Sequence, residues 1–544
     1  MTRARLLVWT ALLVPPALLI VGWLVHLFST SGVAALLDGL SARPGLLANT
    51  LVYALASGCF GTAAGWLLAH VLHTYRTPGG RVLRWLCLAP VMVPSFTLAM
   101  ALIILVGHSG VVTEVLRLDG FEIYGAGGLV AAGTLARLPL PFLAMTWAYR
   151  RLDPAASESA LNLGATPGQA YRRVVLPRLL PVLASSFLAL AADAIADLAN
   201  PLVIGGGFGT LARHLYEAVS AEGDLATAAA DALLLAVPAM VLWTAAGRLA
   251  PTRAAGGATP RRSRRPGPVG WLLVGLAWSV GALIGALLVA VAAASVMTVV
   301  GPEAHFTTDN LLQILSGQRH RALATTVLVA LITVPLVAAT AFWVTVAATL
   351  EQPRSAVVQR TLDALAAVPA AVVGLFGYFV LDLVSGGLGA LGAGPIAAVL
   401  VFVTVGVVHC VRFMPALALP VVRCRCGFPG VRDSALALGA SRGNVARYVV
   451  WPAVRPELLG GAITTFARSL TGVSSVILLS TAQVPLLPVR MLADIDAGRL
   501  PDAAAATVVL AGLIAVVGGG VALLRAAWAR PSRALGTRRA RVAS

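Results

Sequence analysis

Asp193, Asp197 and Arg468 stand inside the fifth long apolar run of each half of this 544-residue chain. An ionisable side chain within a bilayer costs about 2.5–3.5 kcal/mol on insertion scales, so it faces a cavity or a partner. Aligned with itself at a shift of 275, the chain sets Asp193 on Arg468. Opposite charges therefore take equivalent places in two related helices. They either line a polar path or pair across the interface between two halves. The plain alternative is two unrelated side chains, snorkelling or packed beside loops. Asn200, Ser474 and Ser475 add polar groups nearby, which completes the candidate path. Arg137 and Arg412 recur at the same shift in the fourth apolar run of each half. That run leads toward the basic side of the chain, so both read as structural residues snorkelling at its inner end.

Other chemistries are excluded by what is missing. All 40 basic residues are Arg. With no Lys there is no phosphate-cradling G-x-x-x-x-G-K-[ST] loop and no Schiff-base nucleophile. The chain therefore carries no ATPase and no catalytic residues of its own, and it binds no cofactor. Cys59, Cys87 and Cys410 lie in or beside apolar runs, and Cys424-Arg425-Cys426 lies in a basic loop. Two Cys without further ligands make a poor zinc site. His305 and His320 in an outer loop have no clustered ligands and read as surface residues, so no metal site is expected.

These residues are carried by elements that composition identifies. The chain is 58% apolar and 11% charged, with mean hydropathy +0.88. A soluble domain carries about 25% charged residues, so the class is an all-α polytopic membrane protein. Runs long enough to span fall at 6–28, 48–72, 86–107, 127–148, 179–201 and 227–248, then at 269–298, 322–347, 362–384, 394–418, 458–480 and 504–527. That is about 12 spans. Arg sorts across them. One side holds Arg3, Arg5, Arg76, Arg81, Arg150, Arg172, Arg261 and the tail from Arg530 to Arg541, and the other only Arg43, Arg117, Arg213, Arg319, Arg321, Arg490 and Arg499. Positive residues stay inside, so both termini are expected in the cytoplasm. The excess of Arg reads as topology and contact with lipid, not as nucleic-acid binding.

A duplication organises the chain. ESALNLGATPGQAYRRVVLP at 158–177 and DSALALGASRGNVARYVVWP at 433–452 share 11 of 20 positions without a gap, enough to establish the repeat. The same shift pairs Val93-Pro94 with Val368-Pro369, and a shift of 276 pairs Thr50 with Thr326. The expected organisation is a first helix and outer loop at 1–46, a repeat at 47–249, and a basic linker at 250–268. A seventh helix and outer loop at 269–319, a second repeat at 320–527 and a basic tail at 528–544 follow. Six spans per half make the halves parallel and pseudo-twofold related. The best-matched stretch of each is a cytoplasmic loop. Asp153-Pro154 is an N-cap followed by Pro at the first helical position. Gly164 is a left-handed stop, and Thr166-Pro167-Gly168-Gln169 restarts a helix with capping-box spacing. Each half thus projects a helix–glycine–helix knuckle.

Here the chain resembles the type-1 permease subunits of ATP-driven bacterial importers. Their loop signature is matched by Glu158-Ser159-Ala160, Gly164 and Leu176-Pro177, and again by Asp433-Ser434-Ala435, Gly439 and Trp451-Pro452. Ser replaces the middle Ala in both copies and Asp replaces Glu in the second, so the second docking contact is expected to be weaker. The stretches 196–206, ADLANPLVIGG, and 466–477, FARSLTGVSSVI, look like the iron(III)-type group, which also holds phosphonate and thiamine relatives. The resemblance implies that each knuckle is a coupling helix docking one of two separate ATPase subunits, which use the ATP. It also implies an external binding protein that delivers a small solute, ferric iron first, a phosphonate or thiamine otherwise. The rival class is an ion-coupled secondary transporter with 6+6 spans. Its basic motif between spans 2 and 3 wants an acid, which His73–Arg81 lacks.

Overall fold

The computed structural model describes residues 43–108, 110–117, 122–250, 265–301, 304–350, 355–388, 395–423 and 428–542, with scattered positions between 14 and 28. The expected first span at 6–28, most of the basic linker, and Cys424 and Cys426 lie largely or wholly outside these residues. Among the described residues the chain is helical, with an isolated β bridge between Met297 and Phe306.

Eight helices are long and apolar enough to cross a membrane: Pro44–Thr74, Thr97–Leu116, Pro167–Ile195, Leu225–Leu249, Pro268–Ala294, Arg319–Thr349, Ile396–Leu419 and Leu500–Leu523. Two bent pairs raise this to 10, Ala126–Arg137 with Pro139–Arg151 at 45° and Val357–Ala367 with Ala370–Ser385 at 91°. The expected span at 458–480 is a helix over Trp451–Thr471. Arg455, Glu457 and Arg468 make it more polar than the others.

The recurring Val-Pro pairs explain a departure from the expected third spans. A residue before Pro is pushed out of the α region. Val93 is extended at φ −123°, ψ 155°, after a tight turn over Ala89–Met92. The run expected at 86–107 is therefore a short helix, Gly80–Leu88, then the turn, then Thr97–Val106. Val368-Pro369 sits at the 91° bend of the second half. The fifth spans also stop early. The helix ends at Ile195 and restarts at Ala199, so Asp197 lies in the break and not inside the span. Its counterpart ends at Thr471, before Gly472.

Small residues let the core helices approach. Gly58 of Pro44–Thr74 faces Phe187 and Ala191, and a Cβ at Gly65 would stand 2.8 Å from Pro141 and Phe142. Close backbone approach of this kind drives association where lipid competes equally for apolar side chains. The halves share a detail that only duplication explains. Thr50 donates to the Leu46 carbonyl at 2.7 Å while its Oγ1 accepts from Leu211 N at 2.9 Å. Thr326 does the same with Ala322 at 2.7 Å and Leu487 at 2.8 Å. The helix Pro268–Ala294 packs on the first half, with Trp278 Nε1 donating to the Pro78 carbonyl at 3.2 Å and Gly281 against Leu83. Trp23 donates to the Ala229 carbonyl at 3.0 Å and lies 5.3 Å, ring to ring, from Phe376 of the second half.

Candidate functional site

The knuckles form at one end of the bundle. In the first half, Asp153 accepts from Ala155 N at 3.0 Å and starts the helix Pro154–Asn162. Ser159 O accepts from Leu163 N and Ala160 O from Ala165 N, both at 3.0 Å, around Gly164 at φ 89°. Thr166 and Gln169 then close a capping box, at 3.3 Å and 2.9 Å. The second half copies this. Ser434 O accepts from Leu438 N and Ala435 O from Ala440 N, both at 3.0 Å, around Gly439 at φ 79°. Ser441 caps the next helix by accepting from Asn444 N at 3.2 Å. A single π-helical turn follows in both, Tyr171–Val175 and Ala446–Val450, ahead of Pro177 and Pro452. Glu158, Ser159, Asp433 and Ser434 are exposed, and Ala160 and Ala435 are half-buried. Leu163 and Leu438 at the tips are 88% and 87% exposed. Each turn thus holds one large apolar side chain out in solvent at its tip.

The charges gather inside the bundle around Arg137. Its Nε lies 2.9 Å from Asp193 and its NH2 2.8 Å from Asp197. NH1 donates to the Tyr53 hydroxyl at 3.1 Å and to the Gly133 carbonyl at 3.2 Å. Tyr53 donates to Asp197, and Asn200 Nδ2 donates to the same carboxylate at 2.7 Å. Arg137 is thus no snorkelling residue. Its side chain is only 11% exposed, and a carboxylate on each side compensates the charge. Arg137 ends the first member of the bent pair, where Pro139 interrupts the helix.

Asp193 is 43% exposed and bridges the halves, but not to Arg468. Its second oxygen faces Arg412 NH2 at 3.7 Å. The repeat supplies the reason. Arg137–Asp193 maps onto Arg412–Arg468, a like-charged pair that cannot bond, so Arg412 turns across to Asp193. Arg468 is exposed and lies within electrostatic range of both Asp193 and Arg412. Among the described residues its side chain has no ion-pair or hydrogen-bond partner. The rest of the network has no copy, since Val329, Gly472 and Ser475 stand where the first half has Tyr53, Asp197 and Asn200. Ser474 is half-buried and Ser475 buried. One member escaped the sequence reading: Tyr53 carries no charge to flag it. Buried His409, whose Nδ1 lies 3.3 Å from Ser469 Oγ, is a separate polar residue in an apolar run of the second half.

The far end of the bundle has its own charge clusters. Arg43 and Arg319, equivalent at a shift of 276, precede or open the first core helix of each repeat. Arg43 faces Asp231 at 3.8 Å, and His214 bonds Asp231 at 2.6 Å. Arg319 faces Asp502 at 2.6 Å, and Arg499 faces Asp494 at 2.7 Å. The Asp231 hydrogen bond raises the His214 pKa above its usual 6.5. The protonated pair therefore contributes stability that is complete below the unfolded value and lost as pH rises through the folded one. The melting-temperature gap between the wild type and His214→Gln should be largest below about pH 6 and shrink toward alkaline pH. A pH-independent gap in detergent would contradict this.

Comparison with known proteins places these features in a class. Residues 61–254 match the family described as a binding-protein-dependent transport system inner membrane component. The ferric transport system permease protein FbpB of Actinobacillus pleuropneumoniae is 25% identical over 484 residues, covering 84% of this chain and 67% of its own. A putative ferric transport system permease of Haemophilus influenzae is 26% identical over 421 residues, 72% of this chain and 63% of its own. The molybdenum transport system permease protein ModB of Mycobacterium tuberculosis is 29% identical over 213 residues, 38% of this chain and 80% of its own. The chain spans about two thirds of the length of the two ferric relatives. The match at 61–254 and the ferric relatives that extend it make this chain similar to the permease components of binding-protein-dependent importers. It is a multi-pass inner-membrane protein and not itself an enzyme.

Proposed function

We propose that this one chain supplies both halves of an importer's path, as 12 helices in two parallel pseudo-twofold halves. Two ATPase subunits dock beneath it, one on each knuckle. An external binding protein loads solute at the opposite end, beside the Arg43 and Arg319 clusters. The observation that carries this is the doubled knuckle, two copies of one hydrogen-bonded turn with a left-handed glycine and an exposed leucine at the tip. The asymmetry of Arg supports knuckles and termini in the cytoplasm. ATP-driven closure of the ATPase pair would draw the knuckles together and rotate the halves, switching the path between its inward- and outward-facing states.

Ferric iron is the first choice of solute, because the relatives that match across both halves are ferric permeases. An oxyanion is the second reading, supported by sulfate and molybdenum permeases that match over shorter stretches. The test is co-expression with the neighbouring ATPase and binding-protein genes, then uptake into proteoliposomes. ATP-dependent entry of labelled ferric iron, with two ATPase subunits per chain, is expected. Entry driven by a proton gradient without ATP would overturn the reading.

A further inference from the structure

We infer that the solute crosses the centre of this protein as an anion, drawn by the half-buried Arg412 and the exposed Arg468. The central cluster holds Arg137, Arg412 and Arg468 against Asp193 and Asp197, a surplus of one positive charge. The surplus is not evenly placed. Asp197 is buried and consumed by Arg137, Tyr53 and Asn200. Asp193 is shared between Arg137 at 2.9 Å and Arg412 at 3.7 Å. That leaves the second half presenting two guanidinium groups, one loosely held and one with no partner among the described residues.

Duplication makes the arrangement telling. An unmodified repeat would have set a carboxylate at 468, pairing with Arg412 as Asp193 pairs with Arg137. An arginine there gives up an ion pair and creates repulsion inside the membrane, where such side chains are expensive and mark solute paths. Guanidinium forks recognise carboxylate, phosphate and other oxyanions through paired hydrogen bonds. A bare ferric ion would be repelled. An iron cargo would therefore travel with an excess of anionic oxygen ligands, as in ferric citrate, and the alternative cargo is a free oxyanion. This inference rests on the permease reading for its cargo, but its field is a property of the chain alone.

Thr464 lies one turn from Arg468 on the same helix and is exposed. Thr464→Cys in the purified chain should react faster with the anionic sulfonatoethyl methanethiosulfonate than with the cationic trimethylammonium analogue. The preference, corrected for rates on a free thiol and read by mass spectrometry of the modified peptide, should be about tenfold, the low end of what a one-signed cleft gives. Adding Arg412→Gln and Arg468→Gln should bring it near parity. A preference for the cationic reagent, or one unmoved by removing both arginines, overturns the inference whatever the transport class.

The second arm uses the assembled importer with radiolabelled ferric citrate, sulfate and molybdate. Whichever label enters tells the iron complex from the oxyanion. Arg468→Gln should lower its uptake about tenfold while ATPase co-purification is unchanged, and Arg468→Lys should retain most of it. Unchanged or faster uptake by Arg468→Gln also overturns the inference. ATP-independent entry in the wild type would instead fault the permease reading and leave the reagent ratio as the judge of the field.

Discussion

Arg137→Met should be the most damaging single change in the molecule. It removes the group that holds Asp193 at 2.9 Å and Asp197 at 2.8 Å and leaves the buried Asp197 with only Tyr53 and Asn200. Breaking a buried pair from one side costs about 3–5 kcal/mol, whereas replacing both members by apolar groups is often neutral. A loss of folded protein in detergent, read by monodisperse elution and thermal unfolding, is therefore expected. Arg137→Met with Asp197→Leu should recover much of it. Tyr53→Phe should cost less, about 1–3 kcal/mol, because the hydroxyl's two hydrogen bonds, to Asp197 and from Arg137, are lost while the ion pair stays. Strictly additive losses would refute the network. The same logic selects the partner of Asp193. The cycle of Asp193→Asn with Arg412→Gln should show coupling, and the cycle with Arg468→Gln should show less, because of these two arginines Arg412 alone lies within 4 Å of Asp193.

The second large effect belongs to the knuckles. Gly164 and Gly439 sit at φ 89° and 79°, and a Cβ at either would meet no atom within 4 Å. Any harm from substitution is therefore conformational. A left-handed position costs a side chain about 1–2 kcal/mol, and a β-branched residue is a genuine outlier there. Gly164→Val with Gly439→Val should swing Leu163, Leu438 and the following helices away from their present directions. ATPase co-purification and uptake should both collapse, while the helices above, which do not depend on these turns, stay folded. Asn, which tolerates φ > 0, should preserve far more activity at both sites than Val. Equal function of the Val and Asn pairs would show that the turn direction is not used.

The sequence by itself determined this protein's class, its duplication and the chemistry of its knuckles, because all three depend on local or repeated signals. Apolar runs, Arg asymmetry, Asp153 as an N-cap and Gly164 as a stop act over a few residues, and a 275-residue shift needs only comparison of the chain with itself. Ten of the twelve expected spans appear as apolar helices or bent pairs for the same reason. Pairing inside the membrane was of a different kind. Equivalent positions suggested Asp193 with Arg468, yet equivalence in a repeat fixes the depth of a residue and not the direction of its side chain. Only the packing of Ala126–Arg137 against its neighbours puts Arg137 between two carboxylates. Only the docking of the halves brings Arg412 to Asp193 and leaves Arg468 exposed. The break at Ala196–Leu198 was likewise decided in three dimensions, whereas those at Val93 and Val368 follow locally from the Pro that comes next. Hydropathy averages over about 19 residues and cannot see a two-residue interruption, whereas the folded bundle can satisfy the freed backbone groups and keep a carboxylate there.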